Sequence, residues 1–183
     1  MARYESGAVY KIKAGNGTVY YARLLEAGCY GVFAPFEGAL CEDTLSKTPY
    51  RLYFSCNSFA VKRGIWEKIL PSPDPKNAER WNGPDLANYG NYNPELFLGQ
   101  SRVFHKGNPY KCDKDLFINL VKSGMIELIF NRHETIPPFL MNYYNGWPES
   151  YILNKVHLQS GTPEHQKRKM EILTGMGFDM TGL

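Results

Sequence analysis

The stretch from Ala8 to Ala34, AVYKIKAGNGTVYYARLLEAGCYGVFA, decides the fold class because its apolar residues recur with a period of two. Successive side chains of a strand point to opposite faces, so Ala8, Tyr10 and Ile12 share one face, as do Tyr20, Ala22 and Leu24. Between them Gly15-Asn16-Gly17 signals a tight hairpin. Ala27-Gly28 marks a second turn before Tyr30-Gly31-Val32-Phe33-Ala34, a third strand in which Gly31 points to a bulge or a close backbone approach. Further out, Pro35 to Pro49 reads as a long loop with at most one helical turn. Tyr50-Arg51-Leu52-Tyr53-Phe54-Ser55 alternates again, Phe59-Ala60-Val61 reads as continuing toward Lys62-Arg63-Gly64, and Trp66 and Ile69 lie on a last strand. Five short strands between residues 8 and 70 cannot bury both faces as a flat sheet. The expectation is a small curled antiparallel β-barrel, SH3-like, with Tyr10, Ile12, Tyr20, Ala22, Leu24, Leu52, Phe54 and Trp66 inside.

From Pro71 to Pro94 the composition changes. Pro71, Pro73, Pro75, Pro84 and Pro94 interrupt a run rich in Asn, Gly and Tyr, and no regular element is expected there. Beyond it Asp113 is placed to cap a helix that Gly124 ends, with Leu116, Phe117, Leu120 and Val121 as its apolar stripe. Met125 to Phe130 fits either an extension of that helix or a strand, and Pro137-Pro138 opens a short piece ending near Gly146. Thr162, Pro163 and Gly175 mark the cap, first turn and end of a last helix, docked by Met170, Ile172, Leu173 and Met176. The expected architecture is α+β. A barrel over residues 1–70 is followed by a Pro/Asn/Gly/Tyr-rich loop over 71–94 and by an irregular, partly helical extension over 95–183, packed on the barrel.

A chain of 183 residues, 43% of them hydrophobic, can bury a core without disulfide or metal staples. Lys and Arg total 21 and Asp and Glu 18, so no strong basic excess is present to hold nucleic acid. Cys29, Cys41, Cys56 and Cys112 lie too far apart for a zinc knuckle or a redox dithiol and read as reduced thiols. The first residues contain no signal-peptide run, and nowhere do about 18 apolar residues follow one another. A cytoplasmic location without membrane contact is expected. The phosphate-cradling Gly-rich loop, His-Glu-x-x-His and Gly-x-Ser-x-Gly signatures are all absent. His105, His133, His157 and His165 are scattered, and His133-Glu134 would point to opposite faces of a strand. Spacing leaves open a cysteine nucleophile with a distant histidine, but isolated cysteines are more often small core residues. Lys167-Arg168-Lys169 reads as the solvated face of a helix. No catalytic residue, metal or cofactor is expected.

Two aromatic segments stand out: Trp81-Asn82-Gly83 through Tyr89-Gly90-Asn91-Tyr92-Asn93, and Met141-Asn142-Tyr143-Tyr144-Asn145-Gly146-Trp147. Tyr and Trp offer large rigid contact area while Asn and Gly adapt, a mixture that paratopes use. Trp81, Tyr89, Tyr92, Tyr143, Tyr144 and Trp147 are therefore candidate partner-binding residues. The competing reading has these aromatics folding back to cover the barrel.

Gly7-Ala8-Val9-Tyr10-Lys11-Ile12, Gly17-Thr18-Val19-Tyr20-Tyr21-Ala22-Arg23-Leu24-Leu25 and Tyr30-Gly31-Val32-Phe33 together resemble the opening of immunity protein family 26. Leu52-Tyr53-Phe54 and Lys62-Arg63-Gly64-Ile65-Trp66-Glu67-Lys68-Ile69 resemble its second block. The resemblance spans residues 7–70. It implies a non-enzymatic bacterial antidote of a polymorphic toxin system, a cytoplasmic inhibitor that neutralises a cognate toxin by direct stoichiometric binding. The alternative is a small-barrel nucleic-acid-binding module that stacks bases on Tyr20, Tyr21 and Tyr30 beside Lys11, Lys13 and Arg23.

Overall fold

The computed structural model describes residues 4–89, 102–105 and 108–181. Alternation in the first third produces the expected meander of β1 (Val9–Lys13), β2 (Val19–Leu24), β3 (Cys29–Phe33) and β4 (Tyr50–Cys56), and β5 (Glu67–Leu70) returns to pair with β1. At the first hairpin the N–H of Ala14 donates to the carbonyl of Thr18 (2.8 Å), and Gly17 takes a φ of +84°. The eight residues assigned to the interior are all buried in one cluster, where the ring of Trp66 meets Tyr30 and Phe54 edge-on. Gly31 is the close approach: a Cβ there would lie 2.6 Å from Cδ1 of Tyr50.

The sheet does not close into a barrel. The outer edge of β4 carries β9 (Glu127–Phe130) in parallel, with Tyr53 opposite Glu127 and Cys56 opposite Phe130. The result is an open six-stranded sheet in the order β5-β1-β2-β3-β4-β9. Curling was the expected way to cover the second face of five strands. Here later parts of the chain cover it, so that every residue of β3 is buried. Phe59-Ala60-Val61 is also not strand. Asn57 Oδ1 accepts the N–H of Phe59 (3.0 Å), a local turn that starts the short helix α2 (Phe59–Lys62), after α1 (Glu42–Leu45) in the preceding loop.

Between residues 71 and 89, where no regular element was expected, a 3₁₀ turn forms at Ala78–Trp81. A two-residue strand β6 (Leu86–Ala87) joins β7 (Arg102–His105) and β8 (Asn108–Lys111) in a small second sheet. Helix α3 (Lys114–Lys122) starts where Asp113 Oδ1 accepts the N–H of Leu116 (2.8 Å) and turns off at Gly124, φ +77°. It buries Phe117 and Val121, while Leu116 stays exposed.

Helix α4 (Ile136–Tyr143) opens with Pro137 and Pro138, whose missing amides are harmless in a first turn. Short helices α5 (Glu149–Ile152) and α6 (Lys155–Leu158) lead to α7 (Pro163–Gly175), where the side chain of Thr162 accepts the N–H of His165. This last helix runs through Gly175, and Gly177, at φ +84°, makes the turn instead. Ile172, Leu173 and Met176 dock it while Met170 is exposed. Lys169 departs from the solvated-face reading: it is buried, and its ammonium donates to the carbonyl and hydroxyl of Ser160 at 2.9 and 2.6 Å. One hydrophobic cluster unites Tyr10, Leu24 and Phe54 with Phe117, Ile136, Trp147, Ile172 and Phe178, so the second half packs directly on the N-terminal sheet. Among the described residues no helix is long and apolar enough to cross a membrane.

Candidate protein-binding surface

The aromatic segments fold inward. Trp81 lies under β2, where the guanidinium of Arg23 stands 4.9 Å from its ring centroid and its indole N–H donates to the Asp74 carbonyl (3.1 Å). Arg23 itself, 2% exposed, donates to the carbonyl of Gly7 (3.1 Å) and to Glu42 Oε2 (2.9 Å). A Cβ on Gly7 would meet the Trp81 ring at 2.4 Å. Tyr144 is buried with its hydroxyl donating to the Phe33 carbonyl (2.5 Å). Trp147 is buried, donates to the Gly124 carbonyl (3.1 Å) and stacks on Tyr151. Tyr89 is buried against Tyr151. Tyr143 is half-buried and its hydroxyl accepts from Asn154 Nδ2 (3.0 Å). Tyr92 lies outside the described residues.

Trp81, Tyr89, Tyr144 and Trp147 are thus core residues, as in the reading that folds these aromatics back onto the sheet. The physical reason is area. An aromatic ring hides roughly 150–250 Å², worth about 4–6 kcal/mol gross. Backbone carbonyls satisfy the polar tips of Trp81, Tyr144 and Trp147, so burial leaves no donor stranded there.

The second segment nevertheless shapes the surface, because α4 separates two open grooves. One, of about 500 Å³, runs from Asn16 and Thr18 at the hairpin tip along Tyr21 and Phe36 to Met141 and Asn142. The other, of about 510 Å³, follows β9 and is lined by Asn88, Tyr89, Phe139, Tyr143 and Tyr151. Met141 is exposed and Tyr21, Phe36 and Tyr143 are half-buried, so apolar contact area remains at both rims.

No family model, curated protein or solved structure matches the chain.

The electrostatics of the β9 groove centre on Glu127. Ser55 Oγ donates to its Oε1 (3.0 Å), whereas Oε2 is buried with no hydrogen-bond partner, and burial raises the carboxyl pKa. The Cys29 thiol is pushed up to about 12, first by burial and then by the Glu127 charge. Burial also raises Cys56 and Cys112, while hydrogen bonding from Thr44 draws Cys41 below its ordinary value. All four cysteines are free thiols. Among the described residues no group of three His, Cys, Asp or Glu side chains could hold a metal.

One titratable cluster was not foreseen: Asp85 accepts from Tyr110 (2.8 Å) and stands 2.6 Å from His105 Nδ1. Its members are 20 and 25 residues apart, brought together by the small sheet, and adjacency in sequence carries no sign of them. The stacking platform proposed for nucleic acid does not form. Tyr20, Tyr30 and Arg23 are buried, and only Tyr21 of the three tyrosines reaches the surface in part.

Proposed function

We propose that this chain is an immunity protein that neutralises a cognate toxin in the bacterial cytoplasm by direct, stoichiometric binding and performs no catalysis of its own. The observation that carries the reading is the surface around α4, where two grooves of about 500 Å³ with aromatic rims flank one helix. Such concave apolar surfaces with half-buried aromatics suit the anchor side chains of a protein partner. The resemblance of residues 7–70 to immunity protein family 26 supplies the biological role, with the contact surface moved from the loop tips to the groove walls.

The test pairs this chain with the C-terminal region of any large secreted protein encoded beside it. Co-expression is expected to rescue growth, with a one-to-one complex on size-exclusion chromatography. Met141→Ala, Tyr21→Ala and Tyr143→Ala each alter a groove rim, and at least one is expected to weaken binding by roughly thirty-fold, about 2 kcal/mol, with its melting temperature kept. A neighbouring gene that arrests no growth, or rescue without a complex, overturns the proposal. Binding to nucleic acid that falls steeply with salt would favour the alternative module.

A further inference from the structure

We infer that the groove along β9 receives an extended segment of the partner protein, which adds a strand to the open sheet edge and places a basic side chain beside Glu127. The inference rests on the protein-binding reading above for the nature of the partner, and on the following geometry for the mode. Among the described residues β9 is the outermost strand of its sheet and pairs only with β4. In a strand, alternate residues direct N–H and C=O to opposite sides, so about half of these backbone groups point away from β4. Among the described residues the main chain of Glu127–Phe130 makes no hydrogen bond outside the β4 ladder.

Protein edges are ordinarily guarded by lysines, prolines or bulges. The sequence Glu-Leu-Ile-Phe has none of these, and Ile129 is 63% exposed. The chain already begins such a pairing itself. Ala87 bridges in parallel to Ile126 and donates its N–H to the Met125 carbonyl (2.8 Å), immediately before β9 begins. An added strand would continue that ladder over the next four residues, about 13 Å of extended chain.

The walls select the occupant. The aromatic side chains of Tyr89, Phe139, Tyr143 and Tyr151 line the groove beside the strand and offer contact area to the side chains of one extended segment. A second copy of this sheet would have to bring its own walls against these. Among the described residues Glu127 is the only carboxylate lining the groove, and its Oε2 is buried without a hydrogen-bond partner. Lysine or arginine at the cross-strand position would supply both the missing donor and the opposite charge.

The probe is an acetylated octapeptide alternating valine with lysine and threonine, together with two versions N-methylated on alternate residues in the two possible registers. A strand that pairs along one side uses only every second amide, so one methylated version is expected to lose at least ten-fold in affinity and the other to bind unchanged. Bound peptide is expected to slow hydrogen exchange at alternate amides of residues 127–130. Glu127→Gln is expected to weaken the lysine peptide about ten-fold while leaving a peptide with threonine in place of lysine unaffected, with folding checked by melting temperature. No binding up to about 1 mM, equal loss for both methylated versions, or protection elsewhere overturns the inference. Protection of these amides that grows with protein concentration in the absence of peptide would assign the edge to a second copy and also overturn it. Strand addition by a chain that rescues no cells would remove the immunity reading and leave this one standing. Rescue by a chain without the methylation pattern would do the reverse.

Discussion

Arg23 holds three segments together through one planar group: it donates to the Gly7 carbonyl and to Glu42, and it covers the ring of Trp81. Lysine carries the charge but not the fork, so Arg23→Lys is expected to lose about 1.5–3 kcal/mol in denaturant unfolding, the range for a hydrogen bond to a charged group. A loss within error of zero would show that the stack and the fork contribute nothing. Glu127 runs the other way. Burial raises its folded pKa above the ordinary 4.5, so folding costs the charged form more than the protonated one. Its contribution is therefore present below the unfolded pKa and is lost as pH rises through the folded one. Glu127→Gln is expected to melt higher than the parent at pH 7, the gap shrinking as pH falls through the folded pKa toward 4.5. A gap that widens on acidification contradicts this sign. Of the candidate contact residues, the sequence carried the aromatic content but not the direction of each ring. Tyr, Asn and Gly compose both paratopes and loops that fold back, and only the tertiary partners of Tyr144 and Trp147 separate the two.

Elements whose partners are local were readable, and those with remote partners were not. Period-two alternation and an Asn-Gly turn specify β1 and β2 from within their own residues, and caps at Asp113 and Thr162 mark helix starts in the same way. Removing the first cap by Asp113→Ala is expected to cost about 1 kcal/mol, read from urea unfolding, and Asp113→Ser to recover most of it. Equal stability for both variants and the parent would mean that α3 is held by Phe117 and Val121 alone. β9, by contrast, is four residues long and pairs with β4 across 74 positions, as from Tyr53 to Glu127. Nothing in Glu-Leu-Ile-Phe distinguishes a strand from the tail of the preceding helix, because a run that short fits both periods. The open sheet follows from that one pairing, and so does the unguarded edge in the β9 groove.

At the scale of the molecule, the question is whether the N-terminal meander, which carries the family resemblance, can stand without the rest. Small domains of this size bury only about 60% of the surface their unfolded chains expose. Here the shared cluster brings Phe117, Leu128, Ile136, Leu140 and Trp147 against Tyr10, Leu24, Leu52 and Phe54. Cutting after residue 75 would strip those neighbours from one face, expose the β4 edge that β9 occupies, and remove Trp81 from beneath Arg23. A fragment of residues 1–75 is therefore expected to show no cooperative thermal transition and to associate through the bared edge, while the full chain melts in a single step. Far-UV circular dichroism and sedimentation on both would decide it. A monomeric fragment with a sharp transition would mean that the meander is a self-sufficient domain and that the grooves beside α4 lie on an attachment rather than on the core. If the fragment fails, the walls of both grooves belong to the same cooperative unit as the sheet. Mutations deep in the N-terminal strands, far from any partner, would then weaken binding by loosening the walls, and their loss of affinity would track their loss of stability.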